Sequence, residues 1–372
     1  MEVVRALYRL SVGEDRVAER AETLALEQTV ELPRSCIRYS RIEREVVGRV
    51  GAIEPDPRDG FRVEIRYPVE TTALDPAQLL TVLLGNASLQ EDVALLDVEL
   101  PPSLREALGG PRFGIDGVRR AAGVEGRPLT CVALKPMGST AEELAALCGT
   151  FARAGIDVVK DDHGIADTPA CPLEARVRAC VAAIDRAADA TGRRTLYAPN
   201  VVGPPAAVRR QVERARELGA GAVLAAPLVL GLPAFWELGS TAGIPVLAHP
   251  ALGGASRLAL PLLLGTLLRL YGADAVVFPH AGGRFPFGHE LCHELADRMR
   301  RPWQGIRAAL PVPAGGMSVE RVGEMVSFYG DDAMLLVGGT LYEAGDGLEA
   351  RTRLFVERVR AAAAREPGRT GL

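Results

Sequence analysis

One stretch of the chain, residues 155–163, gathers side chains that could do chemistry. Its sequence GIDVVKDDH is a short β-branched run that stops at Lys160, two aspartates and a histidine. Such a run is typical of a buried parallel strand, and α/β enzymes carry their chemistry at the carboxyl ends of such strands. A lysine amine there can form an imine or take up CO2 as a carbamate. The alternative is a buried ion pair with Asp161 or Asp162.

The lysine count makes this position more informative. The chain has 43 lysines and arginines, and only Lys135 and Lys160 are lysines. Arginine therefore supplies almost every ordinary positive charge. Because a guanidinium does not lose its proton in a protein and an amine can, these two positions are expected to need an amine.

Further polar side chains follow other short apolar runs in the second part of the chain. Eight Val/Leu/Ala-rich runs are each followed by an amphipathic stretch, and they end at Lys135, Lys160, Asn200, Pro227, His249, His280, Gly315 and Gly338. This rhythm predicts a (β/α)8 barrel, in which all eight ends meet at one mouth. The mouth would hold both lysines, Asp162, His163, Asn200, His249 and His280.

Two glycine pairs follow the seventh and eighth runs. They are Gly315-Gly316 and Gly338-Gly339. Barrel enzymes often bind phosphate after strands seven and eight, where bare backbone N–H groups can approach an anion. We therefore expect a phosphorylated substrate, although glycine pairs also occur in simple turns.

Composition excludes several classes of function. The 372 residues include 48% hydrophobic and 24% charged residues, and the formal net charge is −4, which is no basis for nucleic-acid binding. The chain has no signal-peptide pattern at its start and no long apolar run, so we expect a cytoplasmic protein without a membrane span. Six scattered cysteines without CxxC spacing are expected to be reduced core thiols.

The first part of the chain predicts a separate small domain. Strand-like segments at residues 3–10, 36–50 and 61–67 and helical segments at residues 15–27 and 76–84 favour a ferredoxin-like β-α-β-β-α-β order, with Asp75 capping the second helix. Prolines and glycines at residues 101–111 are typical of a boundary. We predict an α+β domain at residues 1–115 and the barrel at residues 116–372.

Local signals also predict single elements of the barrel. Thr140 and Glu143 have capping-box spacing before an apolar helix over residues 144–152. Residues 351–366 are arginine-rich and are expected to form a solvated closing helix.

The motifs around both lysines resemble the RuBisCO superfamily, specifically its RuBisCO-like proteins of form IV, which do not fix CO2. Residues 155–162 are similar to the family's metal-site signature. The other similar motifs are Leu134-Lys135-Pro136, Tyr197-Ala198-Pro199-Asn200, Leu247-Ala248-His249, Phe278-Pro279-His280, Ala314-Gly315-Gly316 and Val337-Gly338-Gly339-Thr340.

The resemblance implies a metal centre and a dimer. Lys160 would be carbamylated by CO2 and would join Asp162 in holding Mg²⁺. In the small domain, Asn86 and Glu27 match residues that reach the active site of a neighbouring subunit in that family, so the resemblance implies a homodimer with shared sites.

The sequence departs from the carboxylases at several functional positions. His163 stands in place of a glutamate ligand, and because imidazole suits Mn²⁺ or Zn²⁺ better than Mg²⁺, another divalent metal or none is an alternative. Met137 and Pro250 replace a second lysine and a phosphate-binding arginine, and residues 281–287 contain no lysine. Carboxylation is therefore not expected. We expect instead a substrate with one phosphate, or one whose second phosphate is held by Arg284.

The chemistry shared by the family is formation of an enolate next to a carbonyl. Such a reaction needs a base, an electrophile and an acid. We expect the metal to stabilise the enolate and Lys135, its pKa lowered by burial and the nearby cation, to move the proton with help from His249 or His280. Tautomerisation, isomerisation or decarboxylation, for example of a 3-oxo sugar-acid phosphate, remain open.

Two other functions compete with this interpretation. His289-Glu290-Leu291-Cys292-His293 spells the HExxH zinc-protease motif, but Ala296 and Met299 replace the metzincin continuation, and Glu320 or Glu324 would have to be a distant third ligand. The altered metal triad also allows a barrel that binds a sugar phosphate without turnover, for example in stress regulation.

Overall fold

The computed structural model describes residues 2–283 and 285–364. Its first part is a four-stranded antiparallel sheet of β1 (Val3–Leu10), β2 (Arg49–Pro55), β3 (Phe61–Pro68) and β4 (Val93–Glu99) in the order β2-β3-β1-β4. Along the chain, helices α1 (Glu14–Glu27) and α2 (Ser40–Glu45) connect β1 to β2, and helix α3 (Pro76–Leu84) connects β3 to β4. The buried side of α1 shares one apolar core with the sheet. The predicted ferredoxin-like order is confirmed.

One predicted strand of this sheet is wrong. Residues 36–50 form the end of a 3₁₀ turn, then α2, and only then the start of β2. In α2 a single apolar residue, Ile42, stands among charges, and Arg41 and Glu45 pair at i,i+4 spacing, which suits a short exposed helix. The strand begins at Arg49, and its Val50 pairs with Ile65 of β3. The predicted helices 15–27 and 76–84 are confirmed, and Asp75 Oδ1 accepts hydrogen bonds from the first turn of α3.

Two short helices connect the sheet to the second part, α4 (Pro102–Leu108) and α5 (Gly114–Ala122). Apolar residues of α5, including Val118, belong to the same cluster as the interior residues of the barrel. Helix α5 therefore closes the amino-terminal end of the barrel. The division of the chain at residue 115 stays a prediction.

Eight parallel strands form the second part, as predicted. They are β5 (Leu129–Leu134), β6 (Val158–Asp161), β7 (Leu196–Ala198), β8 (Val223–Ala225), β9 (Val246–Ala248), β10 (Ala275–Pro279), β11 (Leu310–Ala314) and β12 (Met334–Leu336). Neighbouring strands pair in the order β7-β6-β5-β12-β11-β10-β9-β8. A bridge between Asn200 and Leu224 joins the two outermost strands. The sheet is therefore a nearly closed (β/α)8 barrel.

Helices cover the outside of the barrel. They are α6 (Ala141–Arg153), α7 (Leu173–Thr191), α8 (Pro205–Glu217), α9 (Pro227–Leu230), α10 (Leu232–Thr241), a π-helix (Pro261–Leu267) leading into α11 (Leu268–Leu270), α12 (His289–Arg300), α13 (Val322–Tyr329), α14 (Gly339–Tyr342) and α15 (Leu348–Ala364). The capping box of Thr140 and Glu143 starts α6 as predicted. The closing helix is present through Ala364, and residues 365 and 366 lie outside the described residues.

Strict alternation along the strands separates two cores. On β6, Val158 belongs to the barrel interior, whereas Val159 belongs to the layer between sheet and helices. The same alternation holds for Leu247 and Ala248 on β9 and for Val277 and Phe278 on β10. Because successive side chains of a strand point to opposite faces, this parity decides which polar residue at a strand end faces the mouth.

None of the helices within residues 2–283 and 285–364 combines the length and apolar character needed to cross a bilayer. The cytoplasmic location stays a prediction.

Candidate active site

Strand parity separates the two aspartates that end β6. Lys160 and Asp162 have the parity of the interior residue Val158, whereas Asp161 has the parity of Val159. Asp161 is fully buried and faces the helix layer. The structure therefore brings Lys160 and Asp162 to the same face of the strand and places Asp161 on the opposite face.

Asp161 holds the surrounding strands and loops together. Its carboxylate pairs with the buried Arg176 of α7 at 2.9 Å and accepts hydrogen bonds from the Tyr197 hydroxyl at 2.7 Å and the Asn200 backbone at 3.0 Å. Burial raises the pKa of Asp161, against the opposing effect of Arg176. The Asn200 side chain donates to the backbone carbonyls of His163 and Ile165, each at 3.0 Å. This network fixes the loop that carries His163.

Lys135 and Asp162 form an ion pair at the mouth. Lys135 Nζ lies 2.7 Å from Asp162 Oδ2. The backbone N–H of Lys135 donates to the Tyr342 hydroxyl at 3.1 Å, and that hydroxyl donates to the Ala133 carbonyl at 2.9 Å. Burial favours a higher pKa for Asp162, but hydrogen bonds from His163 and Lys135 outweigh it and hold that pKa well below its usual range. Asp162 is therefore a fixed carboxylate between two donors.

The two lysines differ in burial, and the expected burial of Lys135 is wrong. The side chain of Lys135 is 42% exposed because it follows the last residue of β5, whereas Lys160 lies within β6 and is 3% exposed. Lys160 Nζ donates to the Asp161 carbonyl at 3.0 Å. Burial lowers the pKa of Lys160. A lower pKa favours the neutral amine, which is the form that reacts with CO2.

Two histidine rings stack beside these lysines. The rings of His163 and His249 lie 3.8 Å apart and nearly parallel, at 12°. His163 Nδ1 lies 3.3 Å from Asp162 Oδ1, and His249 Nδ1 accepts the Ala251 N–H at 3.2 Å. Burial, with Lys160 and His163 nearby, lowers the pKa of His249 to about 3. His249 is thus neutral at pH 7, and because Nδ1 is an acceptor, its proton is on Nε2.

His280 is not brought into this group. It follows β10 with the parity of Phe278, which faces the helix layer. Its Nδ1 lies 2.8 Å from the Tyr329 hydroxyl of α13, and its ring meets those of Phe328 and His289 edge-on. Of the expected mouth residues, the structure gathers Lys135, Lys160, Asp162, His163 and His249, with Asn200 holding the loop between them.

The loops after β10 and β11 meet backbone to backbone. A Cβ on Gly316, whose φ is +75°, would lie 2.2 Å from the Cα of Gly283. Only glycine allows this approach. Gly315 also has a positive φ of +72°, whereas Gly338 and Gly339 are in open space. Arg284, the expected phosphate ligand, lies outside the described residues.

Asn86 and Glu27 meet in the small domain. Asn86 Nδ2 donates to Glu27 Oε1 at 2.9 Å and to Glu31 Oε1 at 3.0 Å. These polar side chains are partly or fully exposed on the protein surface. The pair is therefore preassembled on the small domain, while its role in a neighbouring site stays a prediction.

The HExxH motif lies on α12 without a metal-binding arrangement. The rings of His289 and His293 both pack edge-on against Phe328. Glu320 and Glu324 are paired with Arg351 and Arg321. Within the described part of the chain, no three His, Cys, Asp or Glu side chains gather so as to hold a metal. The motif is a packed helix face.

Sequence reasoning missed three residues that contact side chains or backbone at the strand ends, Arg176, Tyr329 and Tyr342. Arg176 lies 15 residues after its partner Asp161, and Tyr342 lies 207 residues after Lys135. An arginine and two tyrosines carry no local motif. Of the three, only Tyr342 follows a motif that predicts the barrel mouth, because it comes three residues after the Gly338-Gly339 pair.

Residues 114–244 match the family model described as ribulose bisphosphate carboxylase large chain, catalytic domain. A ribulose bisphosphate carboxylase-like protein 1 from Rhodopseudomonas palustris is 45% identical, over 95% of this chain and 96% of that protein. A 5-methylthioribulose-1-phosphate isomerase from Rhodospirillum rubrum is 41% identical, over 98% of each. A 2,3-diketo-5-methylthiopentyl-1-phosphate enolase from Geobacillus thermodenitrificans is 33% identical, over 98% of this chain and 93% of the enzyme.

Solved structures agree with these relationships. The crystal structure of a RuBisCO-like protein from Rhodopseudomonas palustris has a TM-score of 0.89 at 41% identity, covering 97% of this chain and 98% of that one. A dimeric archaeal RuBisCO from Hyperthermus butylicus has a TM-score of 0.88 at 26% identity, covering 98% and 91%. Sequence similarity along almost the entire chain and the shared two-part fold agree, and the chain belongs to the RuBisCO family, among the non-carboxylating RuBisCO-like proteins.

Proposed function

We propose that this enolising RuBisCO-like enzyme acts on a five-carbon keto-sugar phosphate that carries a methylthio group, and isomerises or tautomerises it. The names of the isomerase and the enolase support this substrate class, because both describe a C5 chain with a methylthio group at one end and one phosphate at C1. The replacement of a phosphate-binding arginine by Pro250 is consistent with a single phosphate. The alternatives of a protease and a binding-only barrel have no comparable support.

The single observation that carries the chemistry is the position of Lys135. Its amine is partly exposed at the mouth and lies 2.7 Å from Asp162 Oδ2, next to the stacked histidines. The amine donates to a fixed carboxylate and can take up a proton and return it at one atom. We assign to Lys135 the transfer of the substrate's α-proton, and to the Nε2–H of His249 a hydrogen bond to the developing oxyanion.

The residues present fit a divalent metal with mixed ligands. Lys160 has the lowered pKa that favours a carbamate, Asp162 shares its face, and His163 lies beside them. Two oxygen ligands and an imidazole suit Mn²⁺ or Zn²⁺ as well as Mg²⁺. A metal held there would polarise the substrate carbonyl. Asp162 Oδ2 already accepts from Lys135, so a cation and the Lys135 ammonium would compete for that oxygen.

We further propose that the active protein is a homodimer. The dimeric state of the archaeal RuBisCO supports this assembly. Asn86 and Glu27 are joined at 2.9 Å on an accessible surface of the small domain, where they can contact a second copy of the chain.

The test is exchange of the substrate's α-proton with deuterium from solvent. Incubated with 5-methylthioribulose 1-phosphate and Mg²⁺ or Mn²⁺, the wild-type protein should exchange this proton, and Lys135→Ala should reduce the rate by about 10²–10⁴-fold because the proton carrier is gone. Lys135→Arg is the matched control, since it keeps the charge beside Asp162 but does not release a proton. Exchange at the wild-type rate in Lys135→Arg would remove Lys135 from proton transfer.

A further inference from the structure

The two ring nitrogens of His280 have different surroundings. Nδ1 lies 2.8 Å from the Tyr329 hydroxyl. Nε2 is buried, and no hydrogen-bond partner for it is found among the described residues. A buried polar atom without a partner is costly, so such an atom in a functional region is expected to have a role.

A glycine turn and several charged or titratable groups surround His280. Its backbone N–H donates to the Ala314 carbonyl at 2.8 Å, which places His280 next to the Gly315-Gly316 turn. Arg321 approaches the neighbouring loop, with its guanidinium 3.4 Å from the position of a Cβ on Gly282. The charged and titratable groups near the ring are Arg321 and Glu324 of α13 and His289 of α12.

The chemistry of the pair decides which nitrogen carries the proton. Burial, then Arg321, lowers the pKa of His280 to about 4, and burial raises the pKa of Tyr329 well above its usual range. At pH 7 a neutral imidazole therefore faces an intact phenol. The hydroxyl can donate to Nδ1, or it can accept from Nδ1–H and donate to Cys292, whose thiol is also near. Sulfur is the weaker acceptor, which favours donation to Nδ1.

Tyr329 is held firmly enough to impose this choice. It is the last residue of α13 and is buried, and its ring packs against Phe278 at 6.1 Å and Phe328 at 4.7 Å between centroids. With Nδ1 directed at this fixed hydroxyl, Nε2, on the other side of the ring, points away from Tyr329. A lone pair at that place would repel an anion, whereas an N–H would bind one.

We propose that Tyr329 is a positioning residue that holds His280 as the neutral tautomer protonated at Nε2, so that His280 donates to an anionic oxygen beside the Gly315-Gly316 turn. The Tyr329 hydroxyl donates to Nδ1 and Nε2–H donates to the anion, while Arg321, which pairs with Glu324 at 2.7 Å, lies nearby. The identity of that oxygen as a substrate phosphate rests on the proposed function, whereas the tautomer does not.

The first test is the tautomer itself, read from long-range ¹⁵N–¹H spectra of the full-length protein labelled in its five histidines. The His280 signal is assigned by its loss in His280→Gln. At pH 7 wild-type His280 should show the Nε2–H pattern, and Tyr329→Phe should give a mixture of tautomers. An Nδ1–H pattern in the wild type would overturn the proposal without any variant or substrate.

The second test is binding of inorganic phosphate by calorimetry. Tyr329→Phe should weaken binding by about twofold, because in a mixture of tautomers only the fraction of His280 that carries the Nε2 proton can donate to the anion. Tyr271→Phe is the matched control: its buried hydroxyl donates to the Pro76 carbonyl and contacts no histidine, so tautomer and affinity should be unchanged. Unchanged phosphate affinity in Tyr329→Phe would overturn the proposal, and absence of substrate turnover would contradict only the proposed function.

Discussion

Asp161 and Asp162 are adjacent in the sequence and have opposite tasks. Asp161 is fully buried and serves Arg176, Tyr197 and the loop of Asn200, whereas Asp162 faces the mouth and pairs with Lys135. The difference follows from the alternation of side chains along β6. A structural ion pair and a candidate reaction centre therefore share one strand end. A buried ion pair was the alternative for Lys160, and the buried pair found here joins its neighbour Asp161 to Arg176.

We predict that Arg176→Met destabilises the protein by about 3–5 kcal/mol, because it leaves the buried Asp161 carboxylate without its partner. Urea unfolding followed by the fluorescence of Trp236 and Trp303 measures the loss. Arg178→Met on the same helix is the control: its pair with Glu174 is exposed, so the change should stay within about 1 kcal/mol. Equal effects of the two substitutions would contradict the role given to the pair.

At the scale of the elements, the loops after β10 and β11 act as one unit. Gly283 and Gly316 approach so closely that a Cβ on either would overlap the backbone of the other loop. The short distance between the two loops places His280 next to the Gly315-Gly316 turn. The glycine pair after β11 is thus required by packing, whatever anion it binds.

We predict that Gly316→Ala lowers stability by about 1–3 kcal/mol, because the new Cβ meets Gly283 and the positive φ is strained for alanine. It should also reduce the rise in melting temperature that phosphate produces. Thermal unfolding with and without phosphate measures both effects. Gly323→Ala is the control, since Gly323 is helical with open space around its Cβ position and should be neutral or stabilising. A Gly316→Ala protein that behaves like Gly323→Ala would refute the close packing.

At the scale of the whole molecule, the proposed active-site residues lie in two parts of the chain. The barrel holds the lysines, Asp162 and the histidines, and the small domain presents Asn86 with Glu27 and Glu31 on its surface. If these halves meet only between subunits, an active site needs two chains. Activity and assembly are then inseparable.

We predict that Asn86→Ala and Lys135→Ala are each inactive alone and that mixing them, with subunit exchange, restores about a quarter of the wild-type activity, because about half of the dimers are mixed and each has one intact site. Turnover of 5-methylthioribulose 1-phosphate after mixing is the measurement. Lys135→Ala mixed with Lys160→Ala is the control and should stay inactive, because both changes lie in the same barrel. No recovery in the first mixture would argue for sites built within one subunit.

The sequence by itself determined the eight strands and the small domain with its helices and caps. These features depend on neighbours within a few residues: apolar runs, glycine and proline punctuation, and the capping box at Thr140. It missed the strand boundary within residues 36–50, because there the helix is set by charge pairing and the strand by its contact with β3. The motifs at Lys135 and Lys160 pointed to the family through their resemblance to its metal-site signature and its first lysine motif.

Only the tertiary structure decided which of these side chains meet. The face of β6 that carries Lys160 and Asp162 is interior because helices cover the other face, and on β10 the same rule turns His280 toward Tyr329 and away from His249. Burial of Lys160 rather than Lys135 depends on whether each lysine lies within its strand or just beyond it. The partners Arg176, Tyr329 and Tyr342 come from distant segments, and long-range packing, which leaves no local pattern, brings them together.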